Sequence, residues 1–94
     1  MISHINARFR KAFQQLPKEI KEQAKKSYEM WKQNPFHPSL EFKQVYSSKP
    51  VYSVRVGLDW RALGLRKNNI IVWFWIGSHE DYSKLLNQIR KHLV

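Results

Sequence analysis

Apolar residues recur at three- and four-residue steps through the first part of the chain. Ile5, Phe9, Ala12, Phe13 and Leu16 fall on one stripe, and Arg8, Arg10, Lys11, Gln14 and Gln15 fill the other side. This period predicts an amphipathic helix. Pro17 punctuates it and suits the first turn of a second helix. There Ile20, Ala24, Tyr28 and Trp31 repeat the stripe, with Lys18, Lys21, Glu22, Lys25, Lys26 and Lys32 toward water. Asn34-Pro35 ends it, because the residue before a proline is pushed out of the helical region. The two helices with their tight joint predict an αα-hairpin.

From Pro35 the period shortens. Asn34 to Pro38 reads as a rigid connector, Ser39 to Tyr46 alternates loosely, and Ser47-Ser48-Lys49-Pro50 signals a turn. Val51 to Val56 reads as a strand, with Tyr52, Val54 and Val56 on one face and Ser53 and Arg55 on the other. Gly57-Leu58-Asp59 breaks it. Trp60 to Leu65 is the next strand, residues 66–69 the next turn, and Ile70 to Ile76 a strand apolar on both faces, as a covered central strand should be. Residues 77–81 read as a loop. Tyr82, Leu85, Leu86, Ile89 and Leu93 then mark a C-terminal helix. Short connections between successive strands imply an antiparallel meander. The predicted class is α+β: an N-terminal αα-hairpin on a mainly antiparallel three- to four-stranded sheet, then a C-terminal helix, with one sheet face partly open.

Composition adds limits. A chain of 94 residues is expected to form one domain, 1–94, and its 13 aromatics supply a compact core. Seventeen Lys and Arg against seven Asp and Glu give a formal charge of +10, which draws a small domain toward polyanions such as nucleic acid or an acidic partner. Zero cysteines exclude a disulfide framework, thiolate zinc and a thiol nucleophile. His4, His37, His79 and His92 stand too far apart for a local metal motif, and His4, His37 and His92 read as surface or connector residues. The longest apolar run is far short of a membrane span. Asn6, Arg8, Arg10 and Lys11 interrupt any signal-peptide core, so a cytoplasmic protein with no membrane role is expected.

Candidate chemistry concentrates in the second half. Arg55 and Arg61 fall in adjacent strands where the pattern would accept apolar residues, with Lys43 and Lys49 flanking the same sheet. A guanidinium binds phosphate through two parallel hydrogen bonds, so two of them on neighbouring strands could hold one phosphodiester. The competing reading pairs each arginine with a carboxylate such as Glu41, Asp59 or Glu80. His79 follows the most hydrophobic strand, with Tyr82 three residues on. Histidine takes and gives protons near neutral pH, and a tyrosine ring can stack on a base.

These residues meet a known pattern. Tyr52-Ser53-Val54-Arg55-Val56-Gly57-Leu58-Asp59-Trp60-Arg61-Ala62-Leu63 resembles the YRVRVG-DYR signature of the RelE/ParE superfamily of bacterial type II toxins. Pro38 to Lys43 is similar to its hPsLk-K segment, and Ile71 to Tyr82 to its I-I-x-I-G-H-R-x-x-Y ending. The resemblance implies a toxin restrained by a cognate antitoxin. RelE-like members cut mRNA in the ribosomal A site, whereas ParE-like members inhibit DNA gyrase and are not enzymes. For the RNA-cleaving branch it implies a metal-independent endoribonuclease with no cofactor. Arg55 and Arg61 would stabilise the phosphate, His79 would serve as general base or acid, and Tyr82 would orient the nucleotide or share the proton transfer. Lys43, Lys49, Arg66 and Lys67 would be further phosphate contacts. The expected partners are the antitoxin, mRNA and the ribosome, with operator DNA reached through the antitoxin complex. A histidine with a nearby tyrosine favours RNA cleavage; gyrase inhibition or an inactive antitoxin-binding module are the alternatives. Ser53 departs from the lysine or arginine common in active members, residues 77–82 are shorter, and Glu80 and Asp81 add negative charge.

Overall fold

Asn6 decides where the first helix begins. Its side-chain oxygen accepts a hydrogen bond from the Phe9 amide at 2.8 Å, capping α1 (Ala7–Gln14). The computed structural model describes residues 1–92; Leu93 lies outside the described residues, as does the side chain of His92. Ahead of the cap the chain is extended: β1 (Ile2–Ile5) pairs in parallel with β5 (Ile70–Ser78), Ile2 opposite Ile70 and Ile5 opposite Trp73. Ile5 therefore belongs to a strand and not to the helical stripe predicted for it. Residues 15–17 join α1 to α2 (Lys18–Gln33), which Pro17 precedes and Asn34 ends in extended backbone.

A 3-10 turn (Pro38–Leu40) and the two-residue β2 (Lys43–Gln44) lead into the meander of β3 (Val51–Val56), β4 (Trp60–Lys67) and β5. The sheet order is β1-β5-β4-β3-β2, so the α+β class stands, with five strands instead of three or four. The added strand is the parallel edge β1. Between β4 and β5 the register shifts at Leu63 and Gly64, which face Trp75 and Trp73, leaving Phe74 as the extra residue of a bulge. The bulge resets the alternation, so Trp73 and Ile76 join one core while Phe74 and Trp75 join the other.

Two apolar layers result. On one face α1 and α2 cover Val54, Val56, Ala62, Ile71, Trp73 and Ile76, with Trp31 at the centre, edge-on to Phe42 and Trp73 at centroid distances of 5.8 and 5.5 Å. On the other, α3 (His79–His92) covers Tyr46, Val51 and Leu63 through Tyr82, Leu85, Leu86 and Ile89. The second face is thus covered along α3, not left open. The Tyr46 hydroxyl donates to the Leu86 carbonyl at 3.1 Å and pins the helix; burial pushes its phenol up, partly opposed by the charge of Arg90. Among the described residues, no helix is long and apolar enough to cross a membrane.

Candidate functional site

Strand register builds the site. Arg55 on β3 sits directly opposite Arg61 on β4, and Arg61 directly opposite Gly77 on β5, so the three form one row across the sheet. The neighbouring row is Lys43, Ser53, Leu63 and Trp75. Leu63 packs under α3, which places both rows on the α3 face. The indole of Trp75 lies over Gly77: a Cβ there would come within 2.6 Å of its ring. Arg55 is held at the strand end by its Nε, which donates to the Gly57 carbonyl at 3.0 Å. Gly57 turns the chain with φ +59, a value that favours glycine.

Glu41 completes the row. It lies two residues before Lys43, the same step that separates Arg55 from Ser53, so the edge of the sheet carries it beside Arg55. Arg61 Nη2 donates to Glu41 Oε2 at 2.7 Å, and Arg55 Nη1 lies 3.6 Å from Oε1. Of the carboxylates that could pair with these arginines, Glu41 takes both; Glu80 pairs with Lys84 at 3.4 Å. The hydrogen bond and charge of Arg61, with smaller contributions from Arg55 and Lys43, hold the Glu41 carboxyl below its ordinary range. Arg61 keeps one further donor: its Nη1 is buried and has no partner among the described residues. The Ser53 hydroxyl in the next row is likewise buried and unpartnered, so the position that departs from the basic family pattern lies inside the sheet packing.

The residues expected as a loop are the strand end and the helix start. β5 runs to Ser78, whose hydroxyl accepts from the Asp81 amide at 3.1 Å and caps α3. Glu80 and Asp81 occupy the first helical turn, where their charges complement the macrodipole. The His79 amide donates to the Asp59 carbonyl at 2.6 Å, tying the helix start to the β3–β4 turn. Its exposed ring stacks on Tyr82 at 5.8 Å between centroids, and the Arg61 guanidinium lies 5.8 Å from the same Tyr82 ring. Tyr82 is 8% exposed, a floor beneath His79 and Arg61.

The structure therefore brings Arg55, Arg61, His79 and Tyr82 together, with Lys43 in the adjacent row. It does not bring in the other basic candidates. Lys49 lies in the loop before β3, at the far end from Arg55. The Arg66 amide bonds the Pro50 carbonyl, and its guanidinium lies over Tyr52 at 5.3 Å, on the α2 side of the sheet. Arg66 and Lys67 are the last residues of β4 and not part of the expected turn, which shrinks to residues 68–69; Lys67 pairs with Ile70 at the far end of the strand from Arg61. Sequence reasoning did not single out Trp75 or Gly77 as site residues. The apolar residue two before a glycine in an alternating strand is the signal that points to their shared face. Among the described residues, no group of three or more His, Asp or Glu could hold a metal ion.

No curated protein matches the sequence. Solved structures share the fold. The toxin-bearing RelB-RelE antitoxin-toxin complex of Methanococcus jannaschii aligns with TM-score 0.69 at 16% identity, covering 87% of this chain and 96% of the other. YafQ of E. coli strain BL21(DE3) aligns with TM-score 0.68 at 15% identity, covering 85% and 94%. The archaeal RelE-RelB complex of Pyrococcus horikoshii OT3 aligns with TM-score 0.64 at 18% identity, covering 83% and 93%. The model of the ParE-like toxin domain matches residues 18–84, from the start of α2 into the second turn of α3 and so across every arginine of the row. The chain belongs to the ParE-like toxin domain family and is a type II toxin of the RelE/ParE superfamily.

Proposed function

We propose that the protein, with residues 1–94 as one toxin domain, is a metal-independent endoribonuclease that cleaves mRNA on the ribosome and is restrained by a cognate antitoxin in the cytoplasm. The observation that carries this reading is the convergence of Arg55, Arg61 and His79 on one sheet row and the adjoining helix start. Cleavage needs the 2′-hydroxyl to lose a proton, attack the adjacent phosphorus and expel the 5′-oxygen, which is protonated as it leaves. Arg61 and Arg55 supply fixed positive charge where the phosphorane develops. His79, exposed beside them, moves the proton. Tyr82 serves from below, holding the imidazole and the Arg61 guanidinium at its ring. Lys43 adds a phosphate contact at the edge. Two structures of similar fold are antitoxin-toxin complexes, which supports an antitoxin partner.

A second reading has its own support. Glu41 already pairs with both arginines, and Tyr82 is buried, as a non-enzymatic gyrase inhibitor would tolerate. Parallel assays separate the two. Purified protein added to a cell-free translation reaction should stop synthesis at concentrations that leave gyrase supercoiling intact. The reverse pattern would establish the gyrase inhibitor and remove the nuclease.

A further inference from the structure

We propose that Glu41 is a displaceable occupant of the arginine site, a carboxylate standing where an RNA phosphodiester would bind, so that RNA engages Arg55 and Arg61 only by exchanging with it. The inference rests on the reading of these two arginines as the phosphate site. Carboxylate and phosphodiester each offer a guanidinium two oxygens at similar spacing. Glu41 uses its oxygens as a bridging phosphate would, Oε2 on Arg61 at 2.7 Å and Oε1 on Arg55 at 3.6 Å.

The carboxylate is the member built to move. Its side chain is 40% exposed, against 14% for Arg61 and 30% for Arg55. Arg55 is also tied to the Gly57 carbonyl, and Arg61 is packed over Tyr82. Among the described residues the Glu41 side chain has no anchor besides the two arginines. It follows the 3-10 turn with φ 46 and ψ 41, left-handed backbone in which a residue with a Cβ is strained. A glycine would sit there freely, so the glutamate is held where it reaches both cations at a conformational cost. Arg61 Nη1, buried and without a partner among the described residues, is a donor that Glu41 leaves unused and that an ester or 2′-hydroxyl oxygen of the RNA could take. With Lys43 beside the row, displacement of Glu41 exposes three cations to one phosphate.

The test is fluorescence anisotropy with a short single-stranded RNA made uncleavable by 2′-O-methylation. It compares the unaltered protein with Glu41→Gln, Glu41→Gly, Arg61→Ala and the Glu41→Gln/Arg61→Ala pair. Glu41→Gly relieves the backbone and guards against a folding defect in the first variant. Glu80→Gln makes the same charge change outside the row. Both Glu41 variants should bind about two- to fivefold tighter, Glu80→Gln should change little, and the gain should vanish when Arg61 is also removed. Unchanged or weaker binding in both Glu41 variants, with Arg61→Ala still weakening the complex, would overturn the mask and make Glu41 a residue that positions the arginines. A gain that persists without Arg61, or that Glu80→Gln reproduces, would overturn it as a general charge effect. If Arg61→Ala changed affinity in neither background, the mask and the phosphate-site reading would fall together.

Discussion

Arg61 is the side chain on which the site's contacts meet: Glu41 on one side, Tyr82 beneath, Arg55 across the strand pair. Removing one preorganised group that stabilises transition-state charge typically costs about 10²–10³-fold in rate. Arg61→Ala should lower RNA cleavage by that order, and Arg61→Lys should restore only part of it, because an ammonium cannot present a planar fork to two acceptors. Single-turnover cleavage rates for the three proteins check this. Glu41 carries a pH signature. Its folded pKa lies below the ordinary 4.5, so the stability it contributes is present above that value and is lost as pH falls through the depressed one. Glu41→Gln should therefore lose less stability than the unaltered protein in that acid window, measured by denaturant melts at stepped pH. Identical pH slopes would show that the carboxylate is not paired in solution. The pairing was only half legible in sequence. Glu41 was one of three carboxylates within plausible reach, and the choice depends on the register of a two-residue strand that leaves almost no pattern.

At the scale of elements, α2 and β3 could be read from their periods, and β4 and β5 from apolar-rich runs bounded by turn signals. β1 could not. Ile2–Ile5 is four residues long, its pairing is parallel and to the far end of the chain, and Ile5 also fits the helical spacing of Phe9. Only the tertiary partner β5 decides it. The start of α3 is hidden in sequence for a different reason: residues 77–81 have loop composition, yet Ser78 followed three residues later by Asp81 is a capping signal. Ser78→Ala should cost about 1 kcal/mol of stability. It should also free the Asp81 amide, so its exchange quickens while the central strands stay protected; uniform exchange across the chain would contradict the local cap. Trp31, 2% exposed between Phe42 and Trp73, anchors α2 to the sheet. Trp31→Ala should cost about 3–5 kcal/mol in urea unfolding.

For the whole molecule the charge of +10 has two separable parts. Arg55 and Arg61 form the row on the α3 face with Lys43 in the row beside it, while Arg66 lies on the opposite face and the many lysines of α2 are spread along a helix. Such distributed charge steers the protein to any polyanion and weakens with salt, since phosphate contacts carry no sequence information. Charge alone therefore cannot identify the target, and the row must. The fold and the meeting of Arg55 with Arg61 followed from strand order and alternation. What did not follow is that Lys49, Arg66 and Lys67 stand apart, because an alternating pattern gives faces only once the strand ends and the bulge are fixed.

The most direct measurement maps 5′ ends on a defined message in a purified translation reaction, with the unaltered protein, His79→Ala and Arg61→Ala. New ends within translated codons, present only with the unaltered protein, are the predicted result. An intact message with the unaltered protein, or cleavage unchanged in both variants, would contradict the assignment of RNA cleavage to this row.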